Sequence, residues 1–270
     1  MKHLAIIGGG FSGFWSAMSA VRQARELGKP KELKITLITK DEFHSIRPRF
    51  YEENLDGLRI PLKNYLYPLG VKLVVDEVTS IDSKNNLIAF GSGREKITYD
   101  YLILAPGSAL KANVIPGFER TFNVDTFDDA TAFDRHIRGL SNADFSTQAS
   151  KTFVVVGGGF TGLEVITALP QRIGNLSANV TTEFNFILID RSTELAPSYS
   201  VEAQKYIQDQ LKASNINLML GEELERIESG KIILKTGKAI VTDTVVWATG
   251  LVASPLTRHF KGNQDPPLSG

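Results

Sequence analysis

No cysteine occurs in the 270 residues, which excludes disulfide scaffolds, thiolate metal sites and any redox mechanism that works through a cysteine pair. Histidine is sparse. His3, His44, His136 and His259 are the whole complement, none has metal-ligand spacing, and they read as structural or exposed side chains. An excess of charge is missing too: 30 Lys and Arg balance 30 Asp and Glu, so no global field gathers the protein on nucleic acid, and no such partner is expected. No apolar run approaches the roughly 18 residues of a spanning helix, and the chain opens almost at once on the strand-like Leu4-Ala5-Ile6-Ile7. The expectation is a soluble, cytoplasmic chain with neither signal peptide nor transmembrane segment. Apolar residues make up 42% of the sequence, enough at this length for one or two well-cored domains.

An internal repeat organises the chain. Ile6-Ile7-Gly8-Gly9-Gly10-Phe11-Ser12-Gly13 returns as Val155-Val156-Gly157-Gly158-Gly159-Phe160-Thr161-Gly162. Leu37-Ile38-Thr39-Lys40 returns as Leu188-Ile189-Asp190-Arg191, and the run from Ile97 to Gly107 aligns without a gap on Ile240 to Gly250. Each half reads as strand, helix, strand, a stretch of alternating short strands, and a β-branched run that stops at glycine. The fold class is therefore α/β, with two Rossmann-like dinucleotide-binding domains in three layers, each carrying a small antiparallel β layer. Pro106, Gly107, Pro116 and Gly117 punctuate the boundary, giving domains 1–110 and 111–250, and Ser141 to Lys151 is a second loose stretch. A first helix is expected from Ser12 to Leu27 with Phe14, Met18 and Val21 on one face; its counterpart after Gly162 should be interrupted by Pro170. Ser200 should cap a third helix running to about Asn215. Trp15 and Trp247 read as core packing.

A strand that ends in Gly-x-Gly-x-x-Gly and opens a helix does three physical things. The first glycine (Gly8, Gly157) makes the tight turn, the second (Gly10, Gly159) lets a pyrophosphate approach the backbone, and the third (Gly13, Gly162) lets helix and strand pack closely. The helix N-terminus, here Phe11-Ser12 and Phe160-Thr161, then offers free N–H groups to the phosphates. One such turn is weak evidence; two, each followed by a matching second strand, point to two nucleotide sites. The residue closing the second strand reports on the ribose, because a carboxylate there accepts from both hydroxyls and repels a 2′-phosphate. Asp190 in the second half favours NADH, although Arg191 leaves NADPH open and an aspartate at a strand end also serves turns. In the first half Thr39, Lys40 and Asp41 are candidate ribose contacts, or simply a polar strand end.

These residues resemble the two-domain flavoproteins of the FAD/NAD(P)-dependent pyridine nucleotide oxidoreductase superfamily, in which the first glycine turn binds FAD and the second NAD(P)H. The resemblance covers nearly the whole chain and includes Tyr99 to Ser108, Gly157 to Glu164 and Val245 to Gly250. It implies cofactor contacts from Val78, from Ala105-Pro106-Gly107, where the family usually has Ala-Thr-Gly, and from Ala248-Thr249-Gly250. The stretch Asp41 to Tyr51 and Asn123-Val124-Asp125-Thr126 are most similar to type II NADH dehydrogenases, and the missing cysteines set aside the disulfide reductases. Within that subgroup Arg47-Pro48 would lie beside the flavin, and Glu164, read as a first-turn residue of the second nucleotide helix, would order the nicotinamide. The implied reaction is hydride transfer from NADH to flavin, with electrons passing to a quinone or similar acceptor. A homodimer and peripheral membrane attachment are further implications. The family's later Gly-Asp signature has no match after Gly250, so the returning FAD segment, 251–270, and the interface domain are expected to be incomplete or absent. Thr39, Pro106 and that missing signature keep open a non-catalytic nucleotide-binding or redox-sensing protein, or a fragment of the enzyme.

Overall fold

The computed structural model describes residues 1–111, 115–140, 145–177 and 183–259; Pro266 and Pro267 and part of the 141–151 stretch lie outside the described residues. By compactness the chain divides into one unit of Met1–Ile46, Gly57–Ala109 and the residues from Leu251 onward, and a second of Arg47–Asp56 and Leu110–Gly250.

In the first unit β1 (Lys2–Ile7) turns into α1 (Phe11–Glu26) and returns as β2 (Leu33–Thr39). The antiparallel pair β3 (Phe43–Ser45) and β4 (Arg59–Pro61) follows, then the single turn α2 (Lys63–Leu66) and β5 (Lys72–Val75). After β6 (Val78–Asp82), β7 (Leu87–Phe90) and β8 (Ile97–Thr98), β9 (Tyr101–Leu104) rejoins the sheet and β10 (Ser108–Leu110) leaves it. A parallel sheet of order β5-β2-β1-β9 lies beside an antiparallel one of order β6-β7-β8. Alternation along β1 makes the three layers: Leu4 and Ile6 pack with Ala17 and Val21 of the helix, whereas Ala5 and Ile7 face Ile81, Ile88 and Phe90 of the antiparallel layer.

The second unit opens with α3 (Phe127–Gly139) and then repeats the plan: β11 (Thr152–Val156), α4 (Phe160–Leu176), β12 (Asn185–Asp190), α5 (Val201–Ala213) and β13 (Ile216–Leu220). Then come β14 (Leu224–Glu228), β15 (Lys231–Leu234), β16 (Ala239–Val241) and β17 (Thr244–Trp247). The sheets are again parallel β13-β12-β11-β17 and antiparallel β14-β15-β16. Arg47–Asp56 is held within this unit by Arg172, which donates to the Tyr51 carbonyl and pairs with Asp134 at 2.8 Å. After Gly250 the chain returns to the first unit: β18 (Leu251–Ala253) pairs with β10, and Leu256 packs on the core under β6 and β7.

Four local expectations meet a different outcome. α4 runs through Pro170 without a break. The proline forfeits the bond to the Ile166 carbonyl, a cost of about 3 kcal/mol, against the burial of Val165, Ile166, Leu169 and Ile173 at about 1.5–3 kcal/mol each. α3 falls where no helix was expected; the Thr126 hydroxyl caps it by accepting from the Asp129 N–H at 3.1 Å, and Ala130, Phe133 and Ile137 form its buried stripe. Trp15 is 61% exposed, on the outer face of α1, whereas Trp247 is buried. α5 starts on its Ser200 cap but ends at Ala213, because Asn215 adopts a left-handed φ of 55°. Among the described residues no helix is long and apolar enough to cross a membrane.

Candidate functional site

The glycine turn of the first unit is shaped by sterics at three positions. Gly8 has φ +115°, and a Cβ there would stand 1.9 Å from the Ala105 carbonyl oxygen; one at Gly13 would stand 1.9 Å from the Gly8 oxygen. Neither position admits a side chain. At Gly10 a Cβ would meet nothing within 4 Å, so the space in front of the second glycine is open. Gly10 is the N-cap of α1, and Phe14 makes the first intrahelical bond back to it, so the N–H groups of Phe11, Ser12 and Gly13 have no acceptor in the helix, and no acidic side chain stands in that turn.

The second unit repeats this arrangement. Gly157 has φ +113° and backs onto Thr249 and Ala248, a Cβ at Gly162 would lie 1.8 Å from the Gly157 oxygen, and Gly159 faces open space. Phe160 and Thr161 head α4 with no acid in the first turn. Both turns thus have the cradle that a diphosphate requires: closed behind the first and third glycines and open before the second.

The strand ends differ between the units. The Asp190 carboxylate accepts from the Gly158 N–H on one oxygen and from the Ser192 N–H at 2.7 Å on the other, and it remains part-exposed, with exposed Arg191 beside it. In the first unit the Thr39 hydroxyl packs against Gly9. Lys40 is ion-paired with Glu77 at 2.5 Å, and Asp41 accepts from the Phe43 N–H at 3.2 Å while pairing with Arg59 at 2.5 Å. Both Asp41 oxygens are therefore engaged within the protein.

Arg47 and Pro48 share one 3₁₀ turn, and the Arg47 guanidinium pairs with Asp125, whose other oxygen takes the Leu110 N–H at 3.3 Å. Val78 is buried among Ile81, Ile88 and Phe90. Ala105 donates its N–H to Ile7, and Gly107 has φ +71°; in the second unit the Ala248 N–H goes to Val156, Gly250 has φ +84°, and the Trp247 indole N–H fixes the Thr249 carbonyl at 2.9 Å. Glu164 is the fifth residue of α4 rather than a first-turn residue, because the helix begins at Phe160. Its carboxyl is half-buried and desolvation pushes its pKa up, so it holds a proton more readily than an ordinary carboxylate. His44, read with the other histidines as structural or exposed, is structural: its buried ring reaches the Gly9 carbonyl through Nδ1 at 3.0 Å. No local pattern marked this bond, because its partner lies 35 residues away in sequence.

The model of the pyridine nucleotide-disulphide oxidoreductase family matches residues 2–264. The chain belongs to this family. An NADH dehydrogenase-like protein of Mycobacterium tuberculosis is 34% identical over 98% of this chain and 66% of its own length. A type II NADH:quinone oxidoreductase of Haemophilus influenzae is 24% identical over 97% of this chain and 67% of its own. The chain thus spans about two thirds of the length of these relatives. Among solved structures, NDH2 of Plasmodium falciparum in complex with NADH superposes with a TM-score of 0.82 at 18% identity, covering 96% of this chain and 57% of that one. The sulfide:quinone oxidoreductase of Aquifex aeolicus gives 0.78 at 20%, covering 96% and 61%. At these identities the superpositions establish the family's fold: two Rossmann-like α/β domains.

Proposed function

We propose that the first unit, Met1–Ile46 and Gly57–Ala109 with the returning segment after Gly250, binds FAD, that the second, Arg47–Asp56 and Leu110–Gly250, binds NADH, and that the chain is the electron-accepting part of an NADH oxidoreductase. The observation that carries this reading is the pair of matched glycine cradles, each open before its second glycine. When bound, FAD supplies a ring that accepts hydride from reduced nicotinamide and passes electrons onward.

The chain's own residues have the remaining work. Backbone N–H groups of Phe11 to Gly13 and of Phe160 to Gly162 hold the two diphosphates, Ala105 to Gly107 and Ala248 to Gly250 line the backs of the turns, and Asp190 accepts from the adenosine ribose hydroxyls. Glu164, its pKa raised by burial, provides a proton or a hydrogen bond at the nicotinamide end. The type II relatives, named as NADH:quinone oxidoreductases, support a quinone as the acceptor, and a lipid-soluble acceptor would put the working protein at a membrane surface. Thr39 and the internal engagement of Asp41 favour a second reading, a nucleotide-binding sensor that does not turn over.

An anaerobic visible spectrum after FAD reconstitution separates the two. Retained flavin bands that bleach on adding NADH are expected; bound flavin that NADH leaves oxidised would favour the sensor, and no retained flavin would overturn the FAD assignment.

A further inference from the structure

We infer that His44 is a positioning residue for the diphosphate-binding turn of the first unit: its Nδ1–H holds the Gly9 carbonyl and thereby aims the N–H of Gly10. The inference rests on reading that turn as a nucleotide site. A carbonyl oxygen only accepts, so at 3.0 Å the proton is on Nδ1. In a trans peptide the C=O and the following N–H point in opposite directions. Pinning the Gly9 oxygen toward His44 therefore turns the Gly10 N–H away from it, at the residue that caps α1 and has open space in front of it.

The ring is built to do this. His44 is the middle residue of β3, set opposite Ile60 of β4, and it is buried. Phe14 stacks on it at 5.1 Å with an interplanar angle of 29°, and Phe11 meets it edge-on at 4.8 Å. Both phenylalanines belong to the first four residues of α1, so the helix that the turn opens also clamps the side chain that fixes the turn.

The second unit explains why such a device is needed. There the turn is held through its N–H, Gly158 donating to the Asp190 carboxylate, and the residue five past the strand end is Leu195, buried against Gly158. The first strand ends in Thr39, which has no carboxylate to offer, and the residue five further on is His44. One turn is fixed through an N–H by an acid, the other through a C=O by an imidazole.

The test compares His44→Leu with His44→Asn in the full chain, reading FAD affinity by flavin fluorescence, ADP affinity by calorimetry and NADH affinity as a control on the second unit. The Asn Nδ2 lies as many bonds from the backbone as the imidazole Nδ1 and keeps the donor. His44→Leu is expected to weaken FAD and ADP about tenfold, as loss of a buried hydrogen bond does, with NADH unmoved and His44→Asn restoring affinity to within about threefold. Should His44→Leu not fold, His44→Asp replaces it, the same size as Asn but with an acceptor aimed at the Gly9 oxygen. Wild-type affinity in the Leu or Asp variant would overturn the inference, as would an Asn variant that folds but binds no better than Leu. Wild type that binds ADP and not FAD refutes the FAD assignment while leaving His44 measurable with ADP; wild type that binds neither removes both.

Discussion

Asp190 is committed before any nucleotide arrives. A carboxylate has about four lone-pair sites. Two are taken by the Gly158 and Ser192 N–H groups, which fix the orientation of the group and leave two for a ribose diol. A 2′-phosphate would meet the same charge and be repelled. Asp190→Ala should therefore weaken NADH about tenfold, the scale of losing hydrogen bonds to a charged group, and change NADPH by less than about threefold. Titration of both nucleotides against wild type and variant checks this. Equal losses for the two would mean that Asp190 acts by holding the Gly158 N–H and shaping the turn, with no grip on the ribose.

At the level of the strand–turn–helix element, two glycines three residues apart should respond to the same substitution in opposite ways. A methyl group on Gly13 would lie 1.9 Å from the Gly8 oxygen, which is backbone and cannot rotate aside, so Gly13→Ala must push α1 off β1. Overpacking of that kind costs about 3 kcal/mol or more, read as a lower melting temperature. Gly10→Ala meets nothing within 4 Å and should melt like wild type while losing FAD affinity about tenfold or more, because the methyl fills the space a diphosphate would occupy. If Gly10→Ala bound FAD normally, the open space would not be the diphosphate site. Elements whose causes are local were legible in the sequence: both glycine turns, the Ser200 cap and the β-branched strands that stop at Gly107 and Gly250. α3 carried its signal in Thr126, Asp129 and the Ala130-Phe133-Ile137 spacing, which a boundary search for prolines and glycines passes over. Other features depend on partners remote in sequence, and no local pattern carries them. The Arg47 pairing with Asp125 and the His44 bond to Gly9 are of this kind, and Pro170 survives in α4 because tertiary burial outweighs a broken helix bond.

For the molecule as a whole, acid should act in two stages, and the sign of each follows from where protons are bound. His136 stacks on Phe122 at 4.3 Å and bonds Thr244 at 2.8 Å, and desolvation lowers its pKa against a smaller opposing pull from Asp243. His3 in the first unit bonds Thr36 at 2.8 Å and is lowered by desolvation and then by Lys34. Folding favours the neutral ring in both, whereas the unfolded chain protonates its histidines at about pH 6.5. The stability they contribute is complete above that pH and is lost as the pH falls below it, in both units at once. A second loss belongs to carboxylates held down by their partners, Asp100 by Lys2, Glu52 by Arg49 and Asp82 by Asn85. Their contribution is present above the unfolded value of about 4 and disappears below it. Glu164 works the other way, since its raised pKa makes the folded state take up a proton first and so favours folding as the pH drops toward the carboxylate range. Melting curves between pH 8 and 5.5 for wild type and for the His3→Gln/His136→Gln double variant isolate the first stage, because glutamine offers an amide near the Nε2 position and does not titrate. Wild type should melt lower at pH 5.5 than at pH 8, while the double variant stays nearly level. Parallel curves would assign the loss to other groups, and a loss that begins only below about pH 5 would leave the carboxylates as its sole source.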